Sequence, residues 1–302
     1  MTSRGRTSYE AHSAADARRR LGTRIMSANT HKSPEEWWST SIIDMKPGSI
    51  RIRGYAIEEL IGRIGFAEMV YLMTRGELPD PAAAKLLEAA LVAAVDHGPQ
   101  APSIAAARMA ITCGVGINNA MASAINMLGD VHGGAGEQCV TLLNAIAERL
   151  GGDTTKQRVA EAVDAELRAL PERDHVPGFG HRFHPIDPRA PRLLALVDAA
   201  AASGTVSGRF ATIGRAVEDA LAARKGRRIP MNIDGATAVV YAELGFAPPL
   251  CRGLFVLSRS VGALAHAFEE MQSGQRNKGP IPRHLLWNYT GPSKRSLPNG
   301  AR

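Results

Sequence analysis

The sequence predicts an all-α fold with a small β-hairpin near its N-terminus. Alanine is abundant and aromatic residues make up only 5% of the chain, a composition that favours helices over a β-sandwich. Along most of the sequence, apolar residues recur at intervals of three and four, the period of one helical face. At 302 residues with 45% apolar and 22% charged side chains, the chain has the composition of a globular protein with a substantial core.

The hairpin is predicted from two short stretches rich in β-branched residues, 39–44 and 49–55. They flank Lys46-Pro47-Gly48, a sequence typical of a turn. From residue 56 onwards the pattern becomes helical, with Ile57, Leu60 and Ile64 on one face.

The remaining helices are placed by periodicity and by local start and stop signals. Asp80 followed by Pro81 is typical of a helix start, Ser103 is interpreted as another cap, and Arg75-Gly76 is typical of a helix end. The predicted helices span residues 66–74, 81–95, 103–112, 117–128, 137–149, 154–170, 192–202, 207–223, 236–244 and 249–272.

The charge distribution bears on the class of partner. Residues 1–34 carry a net +5 of the chain's +7, so the folded body is close to neutral and nucleic-acid binding is not expected. No apolar run reaches the length of a membrane span. Three widely spaced cysteines, Cys113, Cys139 and Cys251, indicate a reducing compartment. We therefore expect a cytoplasmic protein whose residues 1–34 form a disordered basic extension.

One irregular stretch, residues 176–189, concentrates reactive side chains. It contains two glycines and three prolines, which exclude a regular helix, together with two histidines and two arginines. Guanidinium groups pair with carboxylates and phosphates, so the stretch suits a polyanionic ligand. A solvated basic turn is the alternative interpretation.

Three titratable residues stand next to glycines: His132, His181 and Asp234. A carboxylate with two histidines suits removal of a proton next to a carbonyl group, with one histidine donating to the enolate oxygen and the other serving the partner carbonyl. Carboxylates of a ligand would meet His97 and several arginines, namely Arg182, Arg189, Arg259 and Arg283.

Structural explanations remain open for the same residues. A histidine beside Gly-Gly is often a turn residue, Asp234 is a possible helix cap, and Arg259 is a possible partner of Glu269 or Glu270. The His, Cys and carboxylate residues lack metal-ligand spacing, so neither a metal nor a cofactor is expected.

Five blocks of sequence together resemble the citrate synthase family, in family order over roughly residues 39–292. They are residues 50–60, Gly76-Glu77-Leu78-Pro79, His132-Gly133-Gly134-Ala135, Gly178-Phe179-Gly180-His181-Arg182 with Asp187-Pro188-Arg189, and Asn232-Ile233-Asp234. The resemblance implies a two-domain helical homodimer acting on acetyl-CoA and oxaloacetate, with a large domain of residues 35–172 plus 259–302 and a small domain of residues 173–258 that closes over it.

The resemblance also implies roles. Asp234 matches the base that takes the acetyl-CoA methyl proton, His132 the group that hydrogen-bonds the thioester oxygen, and His181 the acid for the oxaloacetate carbonyl. His97, Arg189 and Arg259 match substrate-binding residues, and Arg283 matches an arginine supplied by the other subunit. For the CoA thioester, which is a substrate and not a cofactor, we expect contacts from Gly178, Phe179, Gly180, Arg182, Arg224 and Lys225.

The chain departs from full-length citrate synthases between Pro79 and His97, which are only 18 positions apart. Three blocks, namely Asp96-His97-Gly98-Pro99, Asn232-Ile233-Asp234-Gly235 and residues 253–260, instead look like citryl-CoA lyase and the lyase module of ATP citrate lyase, and the trimmed length also favours the lyase. We therefore expect a citryl-CoA lyase that depends on a separate citrate-activating enzyme. Citrate synthase is the first alternative, and a non-catalytic CoA- or dicarboxylate-binding paralogue is the second.

Overall fold

The computed structural model describes residues 33–170, 175–282 and 284–297. The chain divides into two compact units, Met1–Ile64 and Gly65–Arg302. Almost all of the predicted basic extension lies outside the described residues. Helices dominate the described chain and a single small antiparallel sheet accompanies them, which confirms the predicted fold class.

The first unit contains the predicted hairpin and one further short strand. Its helices and strands are α1 (Pro34–Trp37), β1 (Ile43–Lys46), β2 (Ser49–Ile52), β3 (Tyr55–Ala56) and α2 (Ile57–Leu60). Lys46 pairs with Ser49, which leaves Pro47-Gly48 as the turn, and Gly48 has a φ of 76° that glycine adopts without strain. Helix α2 is one turn long, because Ile61 is already extended, with a ψ of 122°; Gly62 follows in the left-handed region, at a φ of 78°.

The second unit is helical. In chain order its helices are α3 (Phe66–Arg75), α4 (Pro81–Ala93), α5 (Pro102–Thr112), α6 (Ile117–Asn126), α7 (Ala135–Leu150), α8 (Lys156–Ala169), α9 (Arg189–Ala202), α10 (Arg209–Lys225), α11 (Ile233–Glu243) and α12 (Pro248–Gln272). Each corresponds to a helix predicted from the sequence, with boundaries that differ by up to three residues.

Two of the boundaries follow local capping signals that the sequence predicts. Asp80 accepts a hydrogen bond from the backbone N–H of Ala82 at 2.8 Å, and Gly76 ends α3 in the left-handed conformation, both as predicted. The predicted cap Ser103 is wrong. Ala101 precedes α5, and Ser103 is a fully buried residue inside its first turn.

Helix α11 is the centre of the second unit. Nine of its eleven residues are buried, including Val239 and Val240, which are fully inaccessible. A helix that is apolar all round needs neighbours on every side, and α7, α9 and α10 supply them. The N-terminus of α11 therefore opens in the interior of the unit, where it carries Asp234.

A second cluster of small side chains joins α5, α6 and α12. Ile104, Ala107, Ala120, Ala263 and Ala267 are at most 1% exposed. Small residues let helix axes approach closely. Within the described part of the chain, no helix combines the length and hydropathy that crossing a membrane requires. The predicted domain boundaries at residues 172 and 258 stay a prediction.

Candidate active site

The candidate site forms where the loop of residues 176–184 meets the start of α11. Phe179 and Met231 form an antiparallel bridge, the Gly180 N–H donates to the Pro230 carbonyl at 2.8 Å, and the Asn232 N–H donates to the Gly178 carbonyl at 3.0 Å. These bonds tie His181 to the segment that carries Asp234.

Two glycines permit that contact. Gly178 has a φ of 88°, and a Cβ there would lie 2.7 Å from Cys139 Sγ and 2.9 Å from Gly235 Cα. A Cβ on Gly235 would in turn overlap the Gly178 carbonyl. Only a backbone without side chains fits at this crossing, so these glycines fix the distance between the loop and α11.

Asp234 stands in the first turn of α11 but does not cap it. The cap is Asn232, whose Oδ1 accepts from the N–H groups of Asp234 at 3.0 Å and Gly235 at 3.2 Å, so the capping interpretation of Asp234 is wrong. Burial raises the pKa of Asp234, Arg259 and Arg189 oppose that rise, and Asp187 adds to it. A carboxylate that has a raised pKa and does not cap its helix is suited to proton transfer.

His132 is held by the start of α5. Its Nε2 accepts from the Ser103 N–H at 3.2 Å and lies 2.9 Å from the Ser103 hydroxyl. The neutral ring therefore carries its hydrogen on Nδ1. Burial lowers the pKa of His132, and the positive charge of Arg259 lowers it further. His132 is thus a neutral hydrogen-bond donor.

His181 has the opposite tautomer. Its Nδ1 accepts from the N–H groups of Phe183 at 3.0 Å and His184 at 3.1 Å, which leaves the hydrogen on Nε2. Burial lowers its pKa, with Asp187 acting in the opposite direction. The rings of His181 and His97 meet edge to face with centroids 5.6 Å apart.

His97 lies in the short connection between α4 and α5. Burial lowers its pKa, as do Arg189, Arg259 and His181. His97 therefore lies within electrostatic range of His181, Arg189, Arg259 and Asp187, so the fold brings together the histidines and arginines that the sequence predicted.

Arg189 begins α9 and is paired with Asp187. Its Nε and Nη2 donate to the two carboxylate oxygens of Asp187, each at 2.9 Å, in a bidentate fork. Asp187 is 1% exposed and also accepts the Ile233 N–H at 3.0 Å. Burial alone would raise the pKa of Asp187, but the Arg189 fork and the backbone N–H groups lower it. Asp187 was not among the predicted site residues, although its spacing of two from Arg189 is a signal for such a fork.

Arg259 occupies the middle of the arrangement. It is 5% exposed, donates from Nε to the Ala94 carbonyl at 3.2 Å, and lies 4.9 Å from the centre of the Phe255 ring. It interacts electrostatically with Asp234, His132 and His97. Pairing of Arg259 with Glu269 or Glu270 is wrong, because Arg108 binds both carboxylates.

A cleft of about 820 Å³ runs from His97 and His181 to the end of α10. Five of the six predicted CoA contacts line it, namely Gly178, Phe179, Gly180, Arg182 and Lys225. Arg224 does not line the cleft. It binds the Asp164 carboxylate and the Asp164 carbonyl and borders a neighbouring cavity of about 880 Å³. Arg227 and Arg228 line the cleft instead.

Arg283 lies outside the described residues, so its predicted role stays a prediction. Among the described residues, no group of three or more His, Cys, Asp or Glu side chains has the geometry to hold a metal ion. The expectation that the protein uses neither metal nor cofactor also stays a prediction.

Comparison with known proteins identifies the family. The model of the citrate synthase C-terminal domain matches residues 73–283. Citrate synthase 2 of Bacillus subtilis strain 168 is 30% identical over 77% of this chain and 58% of its own length. The citrate synthase of Acidithiobacillus ferridurans is 30% identical over 68% of this chain and 51% of its own length. The chain thus spans little more than half the length of these relatives.

Solved structures show the same likeness over a longer span. The citryl-CoA lyase from Hydrogenobacter thermophilus superposes with a TM-score of 0.75 at 30% identity, covering 86% of this chain and 97% of that one. The ATP citrate lyase from Methanothrix soehngenii, solved with citrate and coenzyme A, shares the fold with a TM-score of 0.69 at 20% identity, covering 97% of this chain and 46% of its own. By its family-model match and its likeness to these relatives, the chain belongs to the citrate synthase family.

Proposed function

We propose that the protein is a citryl-CoA lyase, which cleaves citryl-CoA to acetyl-CoA and oxaloacetate. The observation that carries the proposal is the likeness to a citryl-CoA lyase over 97% of that protein's length. The connection between α4 and α5 also supports the proposal. It is trimmed relative to full-length citrate synthases, so that α4 leads directly into the turn that carries His97.

The geometry supports a role for each group. In the cleavage direction, the hydroxyl group of citryl-CoA loses its proton, the C–C bond breaks, and the enolate of acetyl-CoA takes a proton on carbon. His97, whose lowered pKa keeps a ring nitrogen free, takes the hydroxyl proton, and His181 donates from Nε2–H to the oxygen that becomes the oxaloacetate carbonyl. His132 donates from Nδ1 to the thioester oxygen, where the enolate charge develops. Asp234, with a raised pKa, is the acid that protonates the enolate carbon.

Positive groups around the cleft suit the anionic parts of the substrate. Arg259 and Arg189 interact electrostatically with His97, which lines the cleft, so the carboxylates of oxaloacetate would lie near His97. Lys225, Arg227 and Arg228 line the other end, which suits the CoA phosphates because guanidinium and ammonium groups bind phosphate strongly.

We also propose that the protein acts as a homodimer, with Arg283 completing the partner's site. The support is an exposed apolar stripe along α12, which consists of Leu257, Val261, Leu264, Phe268 and Met271. Its spacing of four and three residues is that of a helix seam buried against another helix. A soluble chain rarely leaves such a stripe uncovered. A separate enzyme in the same cytoplasm would supply citryl-CoA from citrate.

Citrate synthase is the second candidate. The curated relatives that match the sequence are named citrate synthases, and the His132, His181 and Asp234 set serves carbon–carbon bond formation as well as cleavage. The two functions differ in one step, the hydrolysis of the citryl-CoA thioester.

The test offers the purified protein synthetic citryl-CoA in one assay and acetyl-CoA with oxaloacetate in another. We expect oxaloacetate release from citryl-CoA without net thiol release. Asp234→Asn should be inactive, and Asp198→Asn, which removes an exposed carboxylate bound to Arg215, should behave as wild type.

Two other results would overturn the proposal. Thiol release from acetyl-CoA and oxaloacetate would make the protein a citrate synthase. Inactivity in both assays, combined with calorimetric binding of CoA or oxaloacetate, would favour a non-catalytic binding protein.

A further inference from the structure

A chain of polar contacts connects α5 and α12 to the turn that carries His97. His266 lies in its middle, with Nδ1 at 3.1 Å from Arg108 Nη1 and Nε2 at 3.3 Å from Asp96 Oδ2. A guanidinium group only donates hydrogen bonds, so Nδ1 must accept. The hydrogen of the neutral ring is therefore on Nε2, from which His266 donates to Asp96.

Asp96 uses the same oxygen to close the turn. Its Oδ2 also accepts the Gly98 N–H at 3.1 Å, so this hydrogen bond links the two residues that flank His97. Burial alone would raise the pKa of Asp96, but the hydrogen bond from His266 and those from backbone N–H groups lower it. Asp96 is therefore an ionised acceptor at neutral pH.

Arg108 is fixed from the other side. It binds Glu269 and Glu270, and the Glu270 side chain is fully buried. Lys278 donates to both oxygens of Glu270, at 3.1 and 3.2 Å. Because its guanidinium is held by two carboxylates, Arg108 presents Nη1 to His266 in one orientation.

Close packing of α12 brings His266 into reach of the turn. Gly262, one helical turn before His266, is buried against the Val95 carbonyl, and a Cβ there would lie 3.1 Å from Asp96 Oδ1. The helix can approach the turn this closely because residue 262 has no side chain. Asp96 Oδ1 is itself buried without a hydrogen-bond partner among the described residues, so the anchorage of the carboxylate depends on Oδ2.

We propose that His266 is a positioning residue for the substrate site, holding the Asp96-His97-Gly98 turn in the conformation that presents His97 to the substrate. The expected effect of His266 on catalysis rests on the proposed function. The expected effect on the conformation of the turn rests on the contacts alone. His266 does not touch the substrate. His266 acts through Asp96, and Arg108 fixes the Nε2–H tautomer that donates to Asp96.

The experiment compares His266→Leu, which removes the donor to Asp96, with His266→Gln, whose amide N–H₂ replaces it. Asp198→Asn is the control, because it breaks an exposed ion pair with Arg215 and leaves every contact of His266 intact. Hydrogen–deuterium exchange of the peptide covering residues 94–101 reports on the turn without requiring activity. We expect exchange at least about 10-fold faster in the leucine variant and near wild type in the other two.

Kinetics supply the second measurement. We expect kcat/KM for citryl-CoA to fall about 10-fold or more in His266→Leu, since small displacements of a substrate-binding group are costly, and to recover in His266→Gln. Unchanged exchange in the leucine variant, or equal loss in both His266 variants, would overturn the inference. If the wild-type protein cleaves no citryl-CoA, the proposed function fails and the exchange data alone decide the role of His266.

Discussion

The backbone N–H of Ser103 donates to Nε2 of His132, 29 positions further along the chain, at 3.2 Å. Ser103 lies in the first turn of α5, so the positive end of the helix dipole faces this ring nitrogen. Both the hydrogen bond and the dipole disfavour a second proton on the ring. The contact therefore keeps His132 neutral and directs its Nδ1–H away from α5, where an enolate oxygen would accept it.

We predict that His132→Asn lowers kcat by about 100- to 1,000-fold, the usual cost of losing one donor to a developing oxyanion. Nitrogen-15 NMR of labelled histidine should show His132 as the Nδ1–H tautomer, with a pKa below the usual value of about 6.5. Ser103→Ala, which keeps the backbone donor, should preserve that tautomer. An Nε2–H ring in the wild-type protein would contradict the assignment.

Asp234→Asn should inactivate the enzyme and stabilise the fold at neutral pH. Because the folded protein raises the pKa of Asp234, ionising it costs folding free energy as pH rises above the ordinary value of about 3.9. The asparagine variant has no such cost, so its free energy of unfolding should exceed that of wild type at pH 7. The excess should shrink as pH falls.

Urea unfolding of both proteins between pH 7 and pH 5 measures this difference. Loss of activity by about 100- to 10,000-fold is the size expected for a general acid–base group. An asparagine variant that is less stable than wild type at pH 7 would mean that the Arg259 and Arg189 charges outweigh burial.

Asp187 should have the opposite influence on stability. The folded protein lowers its pKa, so its contribution is present above the ordinary pKa and is lost as pH falls through the lower folded value. Asp187→Asn leaves the Arg189 guanidinium without its fork, and we expect a loss of about 3 kcal/mol at pH 7. Urea unfolding should show this loss diminishing with acidification.

The sequence predicted those features that depend on neighbouring residues. The Asp80-Pro81 start of α4 and the Gly76 end of α3 were correct because capping is satisfied within a few positions. Ser103 was misassigned because its hydroxyl lies against His132, which a local rule cannot detect. For Asp187, the spacing of two from Arg189 was an overlooked local signal, whereas its hydrogen bond from Ile233, 46 positions away, depends on the fold.

The predictions for the candidate site also separate into those that local sequence supports and those that depend on the fold. The short motifs around His97, His132, His181 and Asp234 predicted residues that the fold brings into one electrostatic neighbourhood. Among basic residues near the end of α10, sequence alone could not distinguish Arg224 from Arg228, because only the fold brings Asp164 against Arg224.

That distinction yields a prediction for CoA binding. Arg228 lines the cleft and should contact a CoA phosphate, so Arg228→Ala should raise the KM for citryl-CoA by about 10-fold, the equivalent of one charge-assisted hydrogen bond. Arg224→Ala should leave KM unchanged and lower stability instead. Steady-state kinetics with citryl-CoA and with its 3′-dephospho analogue measure the effect. Equal KM changes in the two variants would contradict the assignment.

The apolar stripe of α12 predicts a dimer whose loss inactivates the enzyme. Phe268 is 49% exposed and Leu264 is 43% exposed, so a single charge at either position is tolerated by an isolated subunit but not within an apolar interface. We expect Phe268→Glu and Leu264→Glu to sediment as folded monomers in analytical ultracentrifugation, with circular dichroism like that of wild type. Ala195→Glu, on an exposed position of α9, should remain dimeric. If Arg283 completes the partner's site, the monomers should lose citryl-CoA cleavage, and a fully active monomer would show that each chain contains a complete site.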